Sequence, residues 1–117
     1  MRRVVVTGMG IISSIGNNVD DVKESLFECK PGITKAVDYG SYGFKSQVYG
    51  NPTIELEKYI DRRKLRFLAD GSAWAYISAE QAIADAGLSE GEVSNERTGL
   101  IVGTGGPSTR AIVTAAD

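Results

Sequence analysis

The densest potential chemistry in the chain is a run of cations, Arg62, Arg63, Lys64 and Arg66, directly after Asp61. Arg62 and Arg66 stand four residues apart, so on a helix they share one side of its opening turns. Cations at a helix N-terminus oppose the macrodipole, at a cost of roughly 0.3–1 kcal/mol each. A placement that helix stability disfavours points to a docking patch for an acidic or phosphorylated partner, whose oxygens guanidinium groups grip with paired donors. The bland alternative is a solvated charged face balanced by Asp61, Glu55 and Glu57.

Two other stretches invite chemistry and resist it. Gly8-Met9-Gly10-Ile11-Ile12-Ser13 follows an apolar run and resembles the opening of a dinucleotide fingerprint. Ser13 stands where the third glycine belongs, the next helix starts about eight residues after Gly10 rather than at once, and no acidic residue closes a second strand about 20 residues on. A turn that simply needs glycine is the stronger reading. Cys29 falls at the C-terminal end of a helix, where the dipole disfavours a thiolate, and on that helix's inward stripe; it reads as a packing residue. The chain has no histidine, so a mechanism that needs an imidazole must draw it from other residues. No catalytic residue, metal ligand or cofactor site is expected within these residues.

The elements that must position the patch centre on residues 61–88. Leu65, Leu68, Ala69, Ala73, Tyr76, Ile77, Ala79, Ala82, Ile83 and Ala86 recur at helical steps, which predicts one long, largely buried helix. Asp61 is the expected N-cap and Gly87 the stop, with Leu88 folding back on the last turn. The alanines fit close packing against neighbouring backbone, and Gly71 is a point of close approach or of a kink. Upstream, Val4-Val5-Val6 reads as a strand buried on both faces. Asn17 or Asn18 caps a helix with Val19, Val22, Leu26 and Cys29 inward, which Pro31-Gly32 ends. Ile33 opens a short extended piece, Gly40 and Gly43 mark turns, and Gln47-Val48-Tyr49 reads as a short strand. Ser89 and Glu92 have capping-box spacing. Leu100-Ile101-Val102 is a second buried-strand pattern, and Ser108 caps a helix from about Thr109. Strand, helices, strand is the βαβ order of a layered α/β fold.

With 117 residues the chain is sized for one domain, and 42% apolar with 24% charged residues is the composition of a globular protein. A net charge of −2 predicts no general attraction to nucleic acid or an anionic membrane. One cysteine excludes an internal disulfide. No apolar run approaches the roughly 20 residues that span a bilayer, and the run after Met1-Arg2-Arg3 is too short for a signal-peptide core. A cytoplasmic protein is the default. The helical pattern at Ala115-Ala116-Asp117 lacks a stop signal, so the N-terminal part of a larger protein is expected.

Taken in order, VVVTGMGIISSIGNN at 4–18, PGIT at 31–34, IDRRKLRF at 60–67, EQAIADAGL at 80–88 and GLIVGTGG at 99–106 resemble the N-terminus of a β-ketoacyl-(acyl carrier protein) synthase. IDRRKLRF and IISSIGNN are most similar to type I condensing enzymes of bacterial fatty-acid synthesis. Residues 35–58 fit least well. The resemblance implies a thiolase-like five-layer α-β-α-β-α fold, of which residues 1–117 form part of the N-terminal half, and a homodimer. It implies an acyltransferase that elongates fatty acids by decarboxylative condensation with malonyl-acyl carrier protein, using a cysteine and two histidines that lie beyond the matched part. It assigns docking of the acidic carrier protein to Arg62, Arg63 and Arg66, and places Gly106 at the far end of the acyl pocket. Pro107 stands where a further glycine is common. The competing expectations are a carrier-protein-binding module without catalysis, a type II or polyketide ketosynthase fragment, and a nucleotide-binding domain.

Overall fold

The apolar pattern of residues 61–88 resolves into two helices rather than one. In the computed structural model, which describes residues 2–106 and 108–116, a single turn, α2 (Arg62–Leu65), is followed by the long helix α3 (Asp70–Asp85). Between them the amides of Phe67 and Leu68 bond three residues back, to Lys64 and Leu65, and Ala69 is extended (φ −72°, ψ 155°). The break has an electrostatic logic. It puts Asp70 in the first turn of α3, where the dipole favours an anion, and confines the cations to a separate short turn. It also lets Leu65 and Leu68 both reach the core formed by Ile60, Ala73 and Ile77, with Ile12, Ile54 and Leu56 around it. Burial of Ile77, 2% exposed, contributes about 1.5–3 kcal/mol. Apart from Ala73 and Ile77, α3 is half-buried or exposed, so "largely buried" does not hold for it. A Cβ on Gly71 would meet nothing within 4 Å, so no close approach requires glycine there; the bend lies before it.

The stop of α3 is as expected. Gly87 takes φ +66°, its amide donates to the Ala84 carbonyl (3.1 Å), and the Leu88 amide donates to the Ile83 carbonyl (3.2 Å). Glu92 closes the turn of α4 (Glu90–Val93) by accepting from the Ser89 amide (2.8 Å) and hydroxyl (2.7 Å), which holds its carboxyl below the usual range. In α5 (Thr109–Ala116) the Ser108 hydroxyl accepts from the Ala111 amide at 3.3 Å.

Helix α1 (Val19–Phe27) is capped by Asn18, whose Oδ1 accepts from the Asp21 amide at 2.8 Å. It ends earlier than Pro31-Gly32 suggested: Cys29 turns left-handed (φ 54°) and the Lys30 amide closes on the Ser25 carbonyl at 2.8 Å. Cys29 is therefore exposed at a helix stop, not packed on an inward stripe. Strands β1 (Ile33–Lys35) and β2 (Val48–Gly50) pair antiparallel, with Thr34 opposite Tyr49. Their connection carries Tyr39, Tyr42 and Phe44, with ring centroids 5.2–6.5 Å apart.

The expected βαβ sheet is absent among the described residues. Val4, Val5 and Val6 are 93, 72 and 83% exposed, and Leu100, Ile101 and Val102 are 84, 98 and 72% exposed; neither run belongs to a strand. A strand exists only by hydrogen bonding to a neighbour, and among the described residues the only ladder joins β1 to β2.

The N-terminal segment is instead fixed by its glycines. A Cβ on Gly10 would collide with the Ser78 carbonyl and come within 2.8 Å of Gln81, and one on Gly8 would collide with the Ala82 carbonyl and come within 2.8 Å of the Ala86 methyl. Alanine on α3 and glycine on the loop together allow this backbone-to-backbone seam. Two side chains of α3 complete it: Asp85 accepts from the Met9 amide (2.9 Å) and Gln81 from the Ile11 amide (3.1 Å). Gln81 also donates to the Asn17 carbonyl at 2.7 Å. The loop is pinned from its other side by Ser25, whose hydroxyl donates to the Ile15 carbonyl at 2.6 Å.

Candidate functional site

Asp61 begins the site. Its backbone is extended (φ −54°, ψ 135°), its Oδ1 accepts from the Arg63 amide at 2.7 Å, and its carbonyl accepts from Lys64 (2.9 Å) and Leu65 (3.0 Å). This is the N-cap expected from sequence, applied to α2 rather than to one long helix. Because Ile60 and Leu65 are drawn into the core, the residues between them face outward. Arg62, Arg63 and Arg66 line one shallow concavity with Asp61, and all four residues are exposed. The three residues that sequence singled out for docking are thus brought together.

A self-neutralised charged face would need a carboxylate beside each of these cations. Two lysines have close acidic partners: Lys30 lies 2.6 Å from Glu28 and 3.0 Å from Glu24, which raise its pKa, and Lys58 lies 3.0 Å from Glu55, whereas Arg2, Arg3, Lys23, Lys35, Lys45 and Arg97 have none among the described residues. Among the described residues, no carboxylate lies within 4.0 Å of a charged nitrogen of Arg62, Arg63, Lys64 or Arg66. Glu55, one expected counter-ion, is committed to Lys58, and one oxygen of Asp61 is committed to the backbone. Three arginines around one carboxylate, with Lys64 beside them in the chain, leave a local positive surface. Its field reaches a partner within about 8 Å at physiological salt. Such a surface suits the binding of carboxylates and phosphates.

The Gly8-Met9-Gly10 turn is no phosphate cradle. The amides of Met9 and Ile11, which a pyrophosphate would need, are already satisfied by Asp85 and Gln81, and α3 backbone fills the space against both glycines. Sequence reading gave Gln81 and Asp85 no role. The signal was available in their four-residue spacing on the face that carries Ser78, Ala82 and Ala86.

Gly106 lies apart from the basic concavity, in the segment before α5. Its amide donates to the Thr104 hydroxyl (3.3 Å), which in turn donates to the Gly106 carbonyl (3.0 Å). A Cβ there would meet nothing within 4 Å. Pro107, which stands where a further glycine is common in the family, lies outside the described residues.

Beside α1 lies an apolar groove of about 760 Å³ lined by Met9, Ile11, Val19, Val22, Leu26 and Phe27. It holds the face of α1 that sequence patterning turned inward, although Leu26 and Phe27 are 66 and 79% exposed.

Comparison with known proteins adds a family. Residues 1–117 match the family model described as Beta-ketoacyl synthase, N-terminal domain. The chain is 49% identical over 118 residues to 3-oxoacyl-[acyl-carrier-protein] synthase 1 of Escherichia coli K12, covering all of this chain and 29% of that protein. It is 45% identical over 117 residues to the Haemophilus influenzae synthase 1, again across the whole chain and 29% of the relative. Against 3-oxoacyl-[acyl-carrier-protein] synthase 2 of Staphylococcus aureus strain COL, identity is 30% over 105 residues, 89% of this chain and 25% of that one. The chain therefore spans less than a third of the length of these relatives.

Proposed function

The chain belongs to the β-ketoacyl synthase family by its match to the N-terminal domain, and on that premise we propose that it is the carrier-protein-docking portion of a type I condensing enzyme of fatty-acid elongation. In the complete enzyme an acyl group passes from a carrier-protein thioester to a cysteine thiolate, releasing the carrier thiol. Malonyl-carrier protein then loses CO₂, and the carbanion so formed attacks the acyl thioester. The new C–C bond gives a 3-oxoacyl-carrier protein, and the enzyme thiolate leaves. Identity of 45–49% to synthases 1 against 30% to a synthase 2 supports the type I assignment.

These residues contribute docking and framework rather than bond-making. They include no histidine, and their one cysteine is exposed at the C-terminal end of α1, where no helix N-terminus activates it. Arg62, Arg63 and Arg66 receive the acidic surface of the carrier protein, and Gly106 leaves room for the end of the acyl chain. Within a five-layer thiolase-like fold, Val4–Val6 and Leu100–Val102 are strands of a central sheet, which accounts for apolar runs that find no partner here. A homodimer in the cytoplasm completes the proposal; no helix among the described residues is long and apolar enough to cross a membrane.

The observation that carries the docking assignment is the basic concavity, in which three arginines share one carboxylate and, among the described residues, none lies within 4.0 Å of an acidic partner. In the complete enzyme, Arg63→Glu with Arg66→Glu weakens binding of acyl carrier protein by about tenfold or more at low salt, and added salt narrows the gap. Equal affinity of the double variant and the parent at low ionic strength removes the assignment.

A further inference from the structure

Arg66 borders two concavities. One is the α2 surface shared with Asp61, Arg62 and Arg63. The other lies where the α2–α3 junction meets α5, and its polar lining includes Arg66, Asp70, Ser108 and Arg110. The positive surface therefore does not stop at α2. It continues past Arg66 to a cation 44 residues further along the chain.

Arg110 is held there loosely. Its Nη1 lies 3.6 Å from Asp70 Oδ2, and the two side chains are 85 and 55% exposed. A solvated ion pair of that length contributes little and exchanges readily for another carboxylate. Asp70 has a second reason to stay where it is, because it stands in the first turn of α3 and favours the dipole there. The two groups thus differ in commitment: Asp70 is kept by its helix, whereas Arg110 is available to a partner.

We infer that Arg110 extends the docking surface across the α2–α3 junction, so that an acidic face of the carrier protein lying along Arg62 and Arg66 also takes Arg110 from Asp70. The occupant follows from charge complementarity and from continuity with the α2 surface, and the inference rests on the carrier-protein reading above. Asp70 then acts as an internal competitor that weakens docking and discriminates against partners with too little negative charge.

The test is the dissociation constant of the complete enzyme for acyl carrier protein at low ionic strength. Arg110→Ala weakens binding about 2–5-fold and Arg110→Lys retains most of it, as expected for a rim charge. Asp70→Asn tightens binding about twofold, and every difference shrinks as salt is added. Unchanged affinity in Arg110→Ala, beside a loss in the Arg63→Glu, Arg66→Glu variant, overturns the extension and leaves docking on α2 standing. Weaker binding in Asp70→Asn overturns the competition. No loss in either set of arginine variants overturns the extension and the carrier-protein reading together.

Discussion

Val4-Val5-Val6 leads through Thr7 into Gly8-Met9-Gly10, and Leu100-Ile101-Val102 leads into Gly103-Thr104-Gly105-Gly106. As sequence the two stretches follow one plan: an apolar run, then a glycine-rich turn. In the fold they part company at the glycines. Gly8 and Gly10 lie against the α3 backbone with no room for a methyl group, and the amides beside them are held by Asp85 and Gln81. Gly103, Gly105 and Gly106 have open space around them, and the hydrogen bonds of Gly106 go to Thr104, within its own loop. The apolar runs behave alike, both exposed and outside any strand. The same sequence feature is a packing device in one place and a free turn in the other. What separates them is whether a small-residue helix face lies opposite.

That contrast can be broken at the seam first. Gly10→Ala in the complete enzyme forces the loop off the Ser78 carbonyl and lowers stability by about 2–3 kcal/mol or more, as overpacking against rigid backbone does. A denaturant midpoint equal to that of the parent removes the seam as an explanation of these glycines. Gln81→Ala has a smaller effect. It strands the Ile11 amide and the Asn17 carbonyl, both part-buried partners, and costs about 1–2 kcal/mol. Gln81→Glu separates the two bonds, because it keeps the acceptor for Ile11 and loses the donor for Asn17; the midpoint falls between those of the parent and Gln81→Ala.

The second loop answers differently. Gly106→Ala changes stability by no more than about 0.5 kcal/mol, since its Cβ enters open space. A loss as large as that of Gly10→Ala would show that Gly106 is as closely packed as the first loop. Gly106→Met sharpens the same point toward function. If this position ends the acyl pocket in the complete enzyme, the variant produces shorter acyl chains at little cost in stability. An unaltered chain-length profile withdraws Gly106 from the pocket.

Much of the local structure was legible in advance because it depends on neighbours a few residues away. Asn18, Asp61 and Ser108 cap the turns that follow them, Gly87 stops α3 in the left-handed conformation, and Glu92 folds back on Ser89. The pairing of β1 with β2 lies at the two extended pieces that residue types marked out. The gathering of Arg62, Arg63 and Arg66 was equally legible, since a single helical turn sets it.

Features that depend on distant partners were not. Periodicity ran on through residues 66–69 and could not show the break, because it records which residues are apolar rather than where a chain turns to bring Leu65 and Leu68 onto one core. Cys29 fitted an inward stripe by spacing, yet the helix stops on it. Val4–Val6 and Leu100–Val102 have the composition of buried strands, but composition supplies no hydrogen-bonding neighbour. The sequence by itself determined the caps, the stop at Gly87 and the cluster of cations, all of them interactions within a few residues of one another. The tertiary structure alone decided that Gly8 and Gly10 serve α3 and that Arg110 comes beside Asp70. Each of those depends on which surfaces meet, and spacing along one chain does not encode that without the fold that brings them together.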